Sequence, residues 1–457
     1  MRIKIFFISV IELVLVFIIS VSYTSEINIY FTDPENNPPS LSQFSTQKKP
    51  IDFALKEFIE TVPSGSTMYV CIYEINNTTI TLAIDTVVNK NVKVYSIFHK
   101  DVSTGVFKSN FDWRKLGDSS KLMHNKFVVV KSSKVWSGSY NFTVSATYEQ
   151  DNFAVEIFSK EIAEIYEKAF LYMWNSTGTI TDFNGRQVTL SDGTKISVYF
   201  NPYSKTKELK DVLVENFYDK YEEKAKIKNL YFSVAWFNYD DIADILVLLK
   251  NKNVNICGII DDDSMNFSVY QKLRSNQINI NFDSHTTSYG KGLMHHKFCI
   301  LDPYGENPKV ICGSSNWSFS ALTSQGGNYE NLIVIESREV AEIFYKEFLR
   351  LYNKAIPDQL ITETDELVEE ILFYPNPIKE KVNLKFKPNI SVKEIKFLLV
   401  SLYGVKVFEQ NLNFVLGVEN KTEIVLPQDI KSGLYYAILR VKTVGYNKDY
   451  VKKIIVK

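Results

Sequence analysis

The chain has 457 residues, enough for two or three domains. With 45% hydrophobic and 23% charged residues it falls among ordinary globular proteins and outside the disordered and fibrous classes. A net charge of −1 gives no global basic field, which weighs against extensive binding along a nucleic-acid backbone and leaves room only for a local basic groove.

At the N-terminus Arg2 and Lys4 precede an apolar run that ends near the small residues Ser20 and Ser22. This layout predicts a secretory signal over residues 1–22. The run is short for a membrane span and carries Glu12 near its middle, which is costly at a bilayer centre. Export makes disulfides chemically accessible. The four cysteines, Cys71, Cys257, Cys299 and Cys312, lie in apolar strand-like runs with spacing unlike a zinc site. Buried thiols are expected, with a bridge between Cys299 and Cys312 left open.

Beyond the signal the chain repeats itself. "LMHNKFVVVK" (122–131) returns as "LMHHKFCILD" (293–302), and "KVWSGSYNFTVSAT" (134–147) as "KVICGSSNWSFSAL" (309–322). The extra residues of the second copy fall in the turn-rich "DPYGENP". "DNFAVEIFSKEIAEIYEKAFLYMW", from Asp151, matches "ENLIVIESREVAEIFYKEFLRLY", from Glu330. Two α/β halves are therefore predicted at 27–176 and 196–355. Each reads strand, helix, strand, helix, three strands, helix. "VCIYEI" and "LYFSVAWF" are continuous apolar runs, as expected of strands covered on both faces. Residues 177–195 carry Asn-Gly and Asp-Gly signals and predict a hairpin linker. Residues 367–457 hold short strands between turn residues and predict a small all-β sandwich.

Two such halves are expected to face each other about a pseudo-two-fold axis, so that residues near it appear twice in one site. In a strand, residues i and i+2 share a face. His124 and Lys126 then point the same way, as do His295 and Lys297, and likewise Ser139 with Asn141 and Ser314 with Asn316. Two cations with amide and hydroxyl donors suit an anionic oxygen group, and two imidazoles suit nucleophilic and acid–base work. The natural substrate is a phosphodiester: one histidine attacks phosphorus, the other protonates the leaving alcohol and then activates water. The lysines supply the positive charge, so no metal or other cofactor is expected.

Other candidates carry weaker signals. Asp261, Asp262 and Asp263 read as a polar strand end. His99 and Lys100 follow a strand and fit either the site mouth or the surface. His285 lies in a polar loop before the second motif. His296 points away from His295 and is not expected to be catalytic.

The run "HHKFCILD…GSSNWSFSA…NYENLIVI" resembles the phospholipase D superfamily, with its H-x-K-x4-D and G-S/T-x-N signature, and the resemblance covers about 27 to 355. It implies paired α/β halves with seven-stranded mixed sheets flanked by helices and the site at their interface. It further implies His124 as nucleophile and His295 as general acid/base, an assignment that could be reversed. Lys126, Lys297, Asn141 and Asn316 match the phosphate binders, with Ser139 and Ser314 as secondary contacts. Glu330, and Asp151 at the equivalent place, match the acidic position that orients a histidine across the interface. Asp302 completes the second motif, whereas Lys131 stands at its place in the first. The C-terminal segment, with Tyr374-Pro375-Asn376-Pro377 and a basic final strand, resembles a type IX secretion sorting domain. Together these imply a monomeric phosphodiesterase, secreted or held at the cell surface, with the secretion machinery as a partner. Its substrate is a phospholipid, or alternatively a nucleic acid; a degenerate cell-surface binding protein is the reading outside catalysis, with Lys131 as its only support.

Overall fold

The computed structural model describes residues 26–36, 40–203, 207–261, 267–283, 286–287, 290–354, 356–357, 368–388, 394–401, 406–415, 419–442 and 447–457. The predicted signal, Asp262, Asp263 and His285 lie outside the described residues.

The first half is built on β1 (Ile27–Phe31), β2 (Thr67–Ile72), β3 (Lys93–His99), β4 (Asp112–Leu116), β5 (Lys126–Val130), β6 (Lys134–Gly138) and β7 (Phe153–Ile157). They form a mixed seven-stranded sheet in the order β1-β7-β6-β5-β2-β3-β4. Strand alternation divides the cover. Met68, Val70 and Ile72 of β2 face α1 (Ile51–Glu60) and α2 (Thr78–Asn89), while Tyr69 and Cys71 face α3 (Lys160–Asn175). This double cover is why the strand reads as an unbroken apolar run. The helix starts are set locally: Asn77 accepts from Thr79 N at α2, and Ser159 accepts from Ile162 N at α3.

The second half contains β8 (Arg186–Thr189), β9 (Lys195–Asn201), β10 (Asn229–Val234), β11 (Asn255–Asp261), β12 (Asn279–Asp283), β13 (Lys297–Leu301), β14 (Lys309–Gly313), β15 (Glu330–Glu336) and β16 (Ile356–Pro357). Their order is β16-β12-β11-β10-β13-β14-β15-β9-β8. Nine strands replace the expected seven. The linker's β8 pairs back onto β9 as a hairpin, and β16 adds to β12 at the other edge. Helices α4 (Leu209–Phe217), α5 (Asp240–Asn251) and α6 (Phe267–Ser275) cover one face, and α7 (Arg338–Lys354) the other. The inner faces of both sheets, with α3 and α7, merge into one core that holds Phe127, Val155, Tyr166, Phe298, Ile333 and Phe344. That shared core fixes the two halves against each other.

All four cysteines are free thiols. Cys299 and Cys312 stand on the paired strands β13 and β14, but their side chains enter different cores on opposite sheet faces, so these two strands cannot be bridged without a flip of one side chain through the sheet.

The C-terminal segment is an all-β sandwich of a three-stranded and a four-stranded sheet. Val382, Leu384, Phe386, Phe397, Leu399 and Leu439 alternate into its core. Its first turn is tied to its last strand, where Ile455 N donates to Asn376 Oδ1 at 2.9 Å. No helix among the described residues is long and apolar enough to cross a membrane.

Candidate active site

The segments that lead into β5 and β13 cross to the opposite half. His124 N donates to Tyr329 O (3.0 Å), and Tyr329 N donates to Leu122 O (2.8 Å). In the mirror arrangement Leu293–Met294 pairs in parallel with Gln150–Asp151, and His295 N donates to Asp151 O at 2.9 Å. Each histidine is therefore anchored by the backbone of the half it does not belong to. Lys126 and Lys297 curl back over the same face, their ammonium groups donating to His124 O (2.7 Å) and His295 O (2.8 Å).

Behind each imidazole sits a buried acceptor. His124 Nδ1 lies 2.9 and 3.0 Å from the two oxygens of Glu330. His295 Nδ1 lies 2.8 Å from Asn152 Oδ1. Asp151 is thus not the counterpart of Glu330, as the sequence match suggested; it forms an ion pair with Arg350 instead. The strand register explains the correction. Gly138 pairs with Ala154 and Gly313 with Leu332, which puts Asn152 and Glu330 at the same place in the two sheets.

The two Gly-Ser steps build that place. A Cβ on Gly138 would sit 2.4 Å from Phe153 O, and one on Gly313 2.2 Å from Asn331 O, so only glycine allows this backbone approach. The next residues then reach across. Ser139 Oγ donates to Asn152 Oδ1 at 2.9 Å and accepts from Phe153 N, and Ser314 Oγ donates to Glu330 and accepts from Asn331 N. In this arrangement the O–H of each serine is directed at the acceptor behind a histidine, so Ser139 and Ser314 brace Asn152 and Glu330. Asn141 and Asn316 remain at the site: Asn141 Nδ2 lies 3.4 Å from Glu74, and Asn316 Oδ1 accepts from Trp236 N at 3.3 Å. Asn141 Oδ1 is buried with no partner among the described residues.

The charges of the two pairs interact. Burial pushes His124 down to about 4, against the pull of Glu330, with Lys126 and Lys297 adding to the depression. His295 is held well below the usual imidazole range by burial, then by Lys297, Lys126 and His124. Burial brings Lys126 down to about 7, and Lys297 is lowered by burial and then by Lys126. The sign for Lys126 follows: its ammonium is present below about pH 7 and lost above it. We expect kcat/KM for an anionic diester to fall as pH rises through this value. Lys126→Arg, whose guanidinium stays charged, should remove that limb from a pH profile measured at constant ionic strength, even though the overall level drops.

Tyr73, Trp236 and Asn328 join the site without a sequence signal. The Tyr73 ring meets His124 edge-on at 4.9 Å, and Lys126 Nζ lies 5.1 Å above it. Trp236 meets His295 at 6.0 Å. Asn328 donates to Glu330 at 3.2 Å and accepts from Leu122 N at 2.9 Å. His99 is buried and accepts from Met123 N through Nδ1 (3.3 Å), and Asp261 does the same for Met294 N (2.9 Å). These two strand-end residues thus brace the approach to each histidine. His296 faces away, against Glu347 at 3.3 Å. Asp302 lies at the far end of β13, where its carboxylate accepts from Lys228 N, Asn229 N and Asn229 Nδ2. Its first-half counterpart Lys131 pairs with Glu167 at 3.2 Å on the surface. Neither touches the histidines, so the difference between Lys131 and Asp302 is a difference in strand-end support.

Comparison with known proteins agrees with this geometry. Residues 59–174 and 222–352 match the family profile described as "Cardiolipin synthase, PLD-like domain", and 372–457 match "Secretion system C-terminal sorting domain". The chain is 30% identical over 132 residues to the mitochondrial cardiolipin hydrolase of Xenopus tropicalis, covering 28% of this chain and 57% of that protein. It is 31% identical over 123 residues to the mouse protein, covering 26% and 50%. The chain thus spans only about half the length of these relatives. Among solved structures, the phosphatidylserine synthase of Haemophilus influenzae Rd KW20 superposes with a TM-score of 0.53 at 13% identity, over 74% of this chain and 89% of that one, a likeness of fold alone. With the repeated motif and a profile match over more than half of its residues, this chain belongs to the phospholipase D-like family and carries a secretion-system sorting domain at its C-terminal end.

Proposed function

We propose that this protein is an exported phosphodiesterase of the phospholipase D type. It hydrolyses a phospholipid phosphodiester to phosphatidic acid and a head-group alcohol through a phosphohistidine intermediate. The observation that carries this reading is the meeting of two His–Lys pairs, one from each half, each imidazole backed by a buried acceptor. Lys126, Lys297, Asn141 and Asn316 bind the phosphate oxygens and neutralise charge as it builds, the task that a metal ion performs in other phosphodiesterases. Both halves of the site come from one chain, so a monomer is complete. The lipid substrate is supported by the family profile and by the names of the relatives above. Export is supported by the sorting domain, which would engage secretion machinery, and by the apolar N-terminal segment.

The test is direct. The mature chain in EDTA is offered phosphatidylcholine vesicles, cardiolipin vesicles and plasmid DNA, beside His124→Ala and His295→Ala. Release of phosphatidic acid or head-group alcohol by the wild type, lost in both variants, is the expected result. Nicked DNA without lipid turnover would make the chain a nuclease, and tight binding without turnover of any of them would make it a binding protein.

A further inference from the structure

Asn141 and Asn316 stand at the same place in the two halves, yet they hold opposite ends of their amides to the same neighbour. Asn316 Oδ1 accepts from Trp236 N at 3.3 Å. In the first half the residue at the place of Trp236 is Glu74: Phe142 N donates to Glu74 O as Trp317 N donates to Trp236 O, both at 3.0 Å. There it is Asn141 Nδ2 that faces the neighbour, 3.4 Å from the Glu74 carboxylate. An ionised carboxylate only accepts, so it takes the nitrogen end of the amide. The oxygen end is left over. Asn141 is 5% exposed, and its Oδ1 is buried with no partner among the described residues.

An unfilled acceptor in a closed site is costly, and a donor that arrives with the substrate relieves it. Its surroundings say which donor. Glu74 is exposed at the rim of the site, beside the half-buried Tyr73. Burial first, then Glu74, Asp101 and Glu330, raise the Tyr73 phenol, so this rim is negative. The same place in the second half holds the Trp236 ring, with Lys297 Nζ 5.9 Å above it. A carboxylate one amide away from a bound phosphate repels it, and a cation on the same substrate offsets that cost.

We infer that Glu74, together with the side-chain oxygen of Asn141, receives a primary ammonium on the head group of the substrate, so that the protein prefers phosphodiesters of amino alcohols. The inference deepens the phosphodiesterase reading above and rests on it. In an ethanolamine ester two methylenes separate the ester oxygen from the nitrogen, which keeps the ammonium close to the phosphate that Asn141 binds. A primary ammonium brings N–H donors for both acceptors. A quaternary ammonium brings the charge without an N–H and leaves Asn141 Oδ1 unfilled. A glycerol head group brings hydroxyls without the charge. The expected order is therefore ethanolamine, then choline, then glycerol. Glu74 meets the head group and not the reacting atoms, and is a specificity-determining residue.

The probes are dibutyroyl phosphatidylethanolamine, phosphatidylcholine and phosphatidylglycerol, dissolved as monomers so that no lipid surface adds its own charge. Release of phosphatidic acid is followed by mass spectrometry. In the wild type, kcat/KM for the ethanolamine lipid exceeds that for the glycerol lipid roughly tenfold, the effect of one charge-assisted hydrogen bond at a partly exposed place. Glu74→Gln removes the charge and keeps the shape, and brings the ethanolamine-to-glycerol ratio close to one. Glu74→Lys inverts it. A ratio of two substrates on one preparation does not respond to partial unfolding or to a loss in the step they share, so a merely structural Glu74 would leave it unmoved. Equal kcat/KM for all three lipids in the wild type, preference for the choline lipid over the ethanolamine lipid, or a ratio unchanged in Glu74→Gln overturns the inference and leaves the phosphodiesterase reading standing. No phosphatidic acid from any of the three lipids with the wild type overturns the lipid reading itself, and this inference with it.

Discussion

Glu330→Gln lowers kcat/KM by roughly 10²- to 10³-fold while the protein stays folded. The glutamine is nearly isosteric. Its oxygen can still accept from His124 Nδ1, and its amide nitrogen faces the Ser314 hydroxyl, which can turn to accept. What disappears is the negative charge beside a buried imidazole flanked by Lys126 and Lys297. Glu330→Ala separates that effect from packing. It leaves His124 Nδ1, Ser314 Oγ and Asn328 Nδ2 without their acceptor in a fully buried position, at roughly 1–3 kcal/mol for each group left unsatisfied. The alanine variant should therefore melt many degrees lower, whereas the glutamine variant should not. Steady-state kinetics and thermal melts on the pair decide the point. A glutamine variant with near-wild-type kcat/KM would show that the charge of Glu330 does not serve catalysis.

The repeated His-x-Lys and Gly-Ser-x-Asn stretches were legible because strand alternation alone puts i and i+2 on one face. The meeting of the two halves followed from the repetition. The acceptor behind His295 was not legible. "DN" and "EN" align by residue type, so Asp151 looked like the partner of Glu330. The intervening loop, however, is longer in the second half, and hydrogen-bond register, which no residue type reports, moves the true counterpart to Asn152. The two aromatic neighbours were hidden for a related reason. Ile72 and Val234 pair with Lys126 and Lys297, so Tyr73 corresponds in the repeat to Ala235, and Trp236 to Glu74. The rings reach the site from non-equivalent positions and leave no repeat. β4 escaped notice because it is an edge strand with mostly exposed side chains, without the apolar alternation that marks a half-buried one. The sandwich was easier, since turn residues separate its short apolar strands.

Arg350→Met is expected to cost roughly 3–5 kcal/mol, the typical loss when one partner of a buried ion pair is removed. Arg350 stands on α7, almost fully buried, and reaches Asp33 (3.0 Å), Glu347 (2.6 Å) and Asp151. Asp33 and Asp151 belong to the first half, Glu347 and Arg350 to the second, so the guanidinium joins the two across their shared core. Asp151, His296 and Glu347 approach within 4.8 Å of one another, and Arg350 is the cation at that place. Burial pushes Glu347 up, but Arg350 and His296 outweigh it and hold the carboxyl down to about 2. A carboxyl depressed in the folded state gives stability that is present above its unfolded value, near 4.5, and lost as pH falls toward 2. The arginine's contribution should therefore be complete at pH 7 and shrink in acid. Equilibrium unfolding in guanidinium chloride at pH 7 and at pH 3 tests both parts: the gap between wild type and Arg350→Met should be wide at the first and narrower at the second. Activity should fall further than the unfolded fraction explains, because Asp151 O accepts from His295 N at 2.9 Å, and loosening Asp151 loosens that histidine. Adding Glu347→Gln to Arg350→Met should recover part of the stability by removing the charge left unpaired. A single variant within about 1 kcal/mol of wild type would mean that the shared apolar core alone holds the halves together, and that the buried ion pairs are close to break-even.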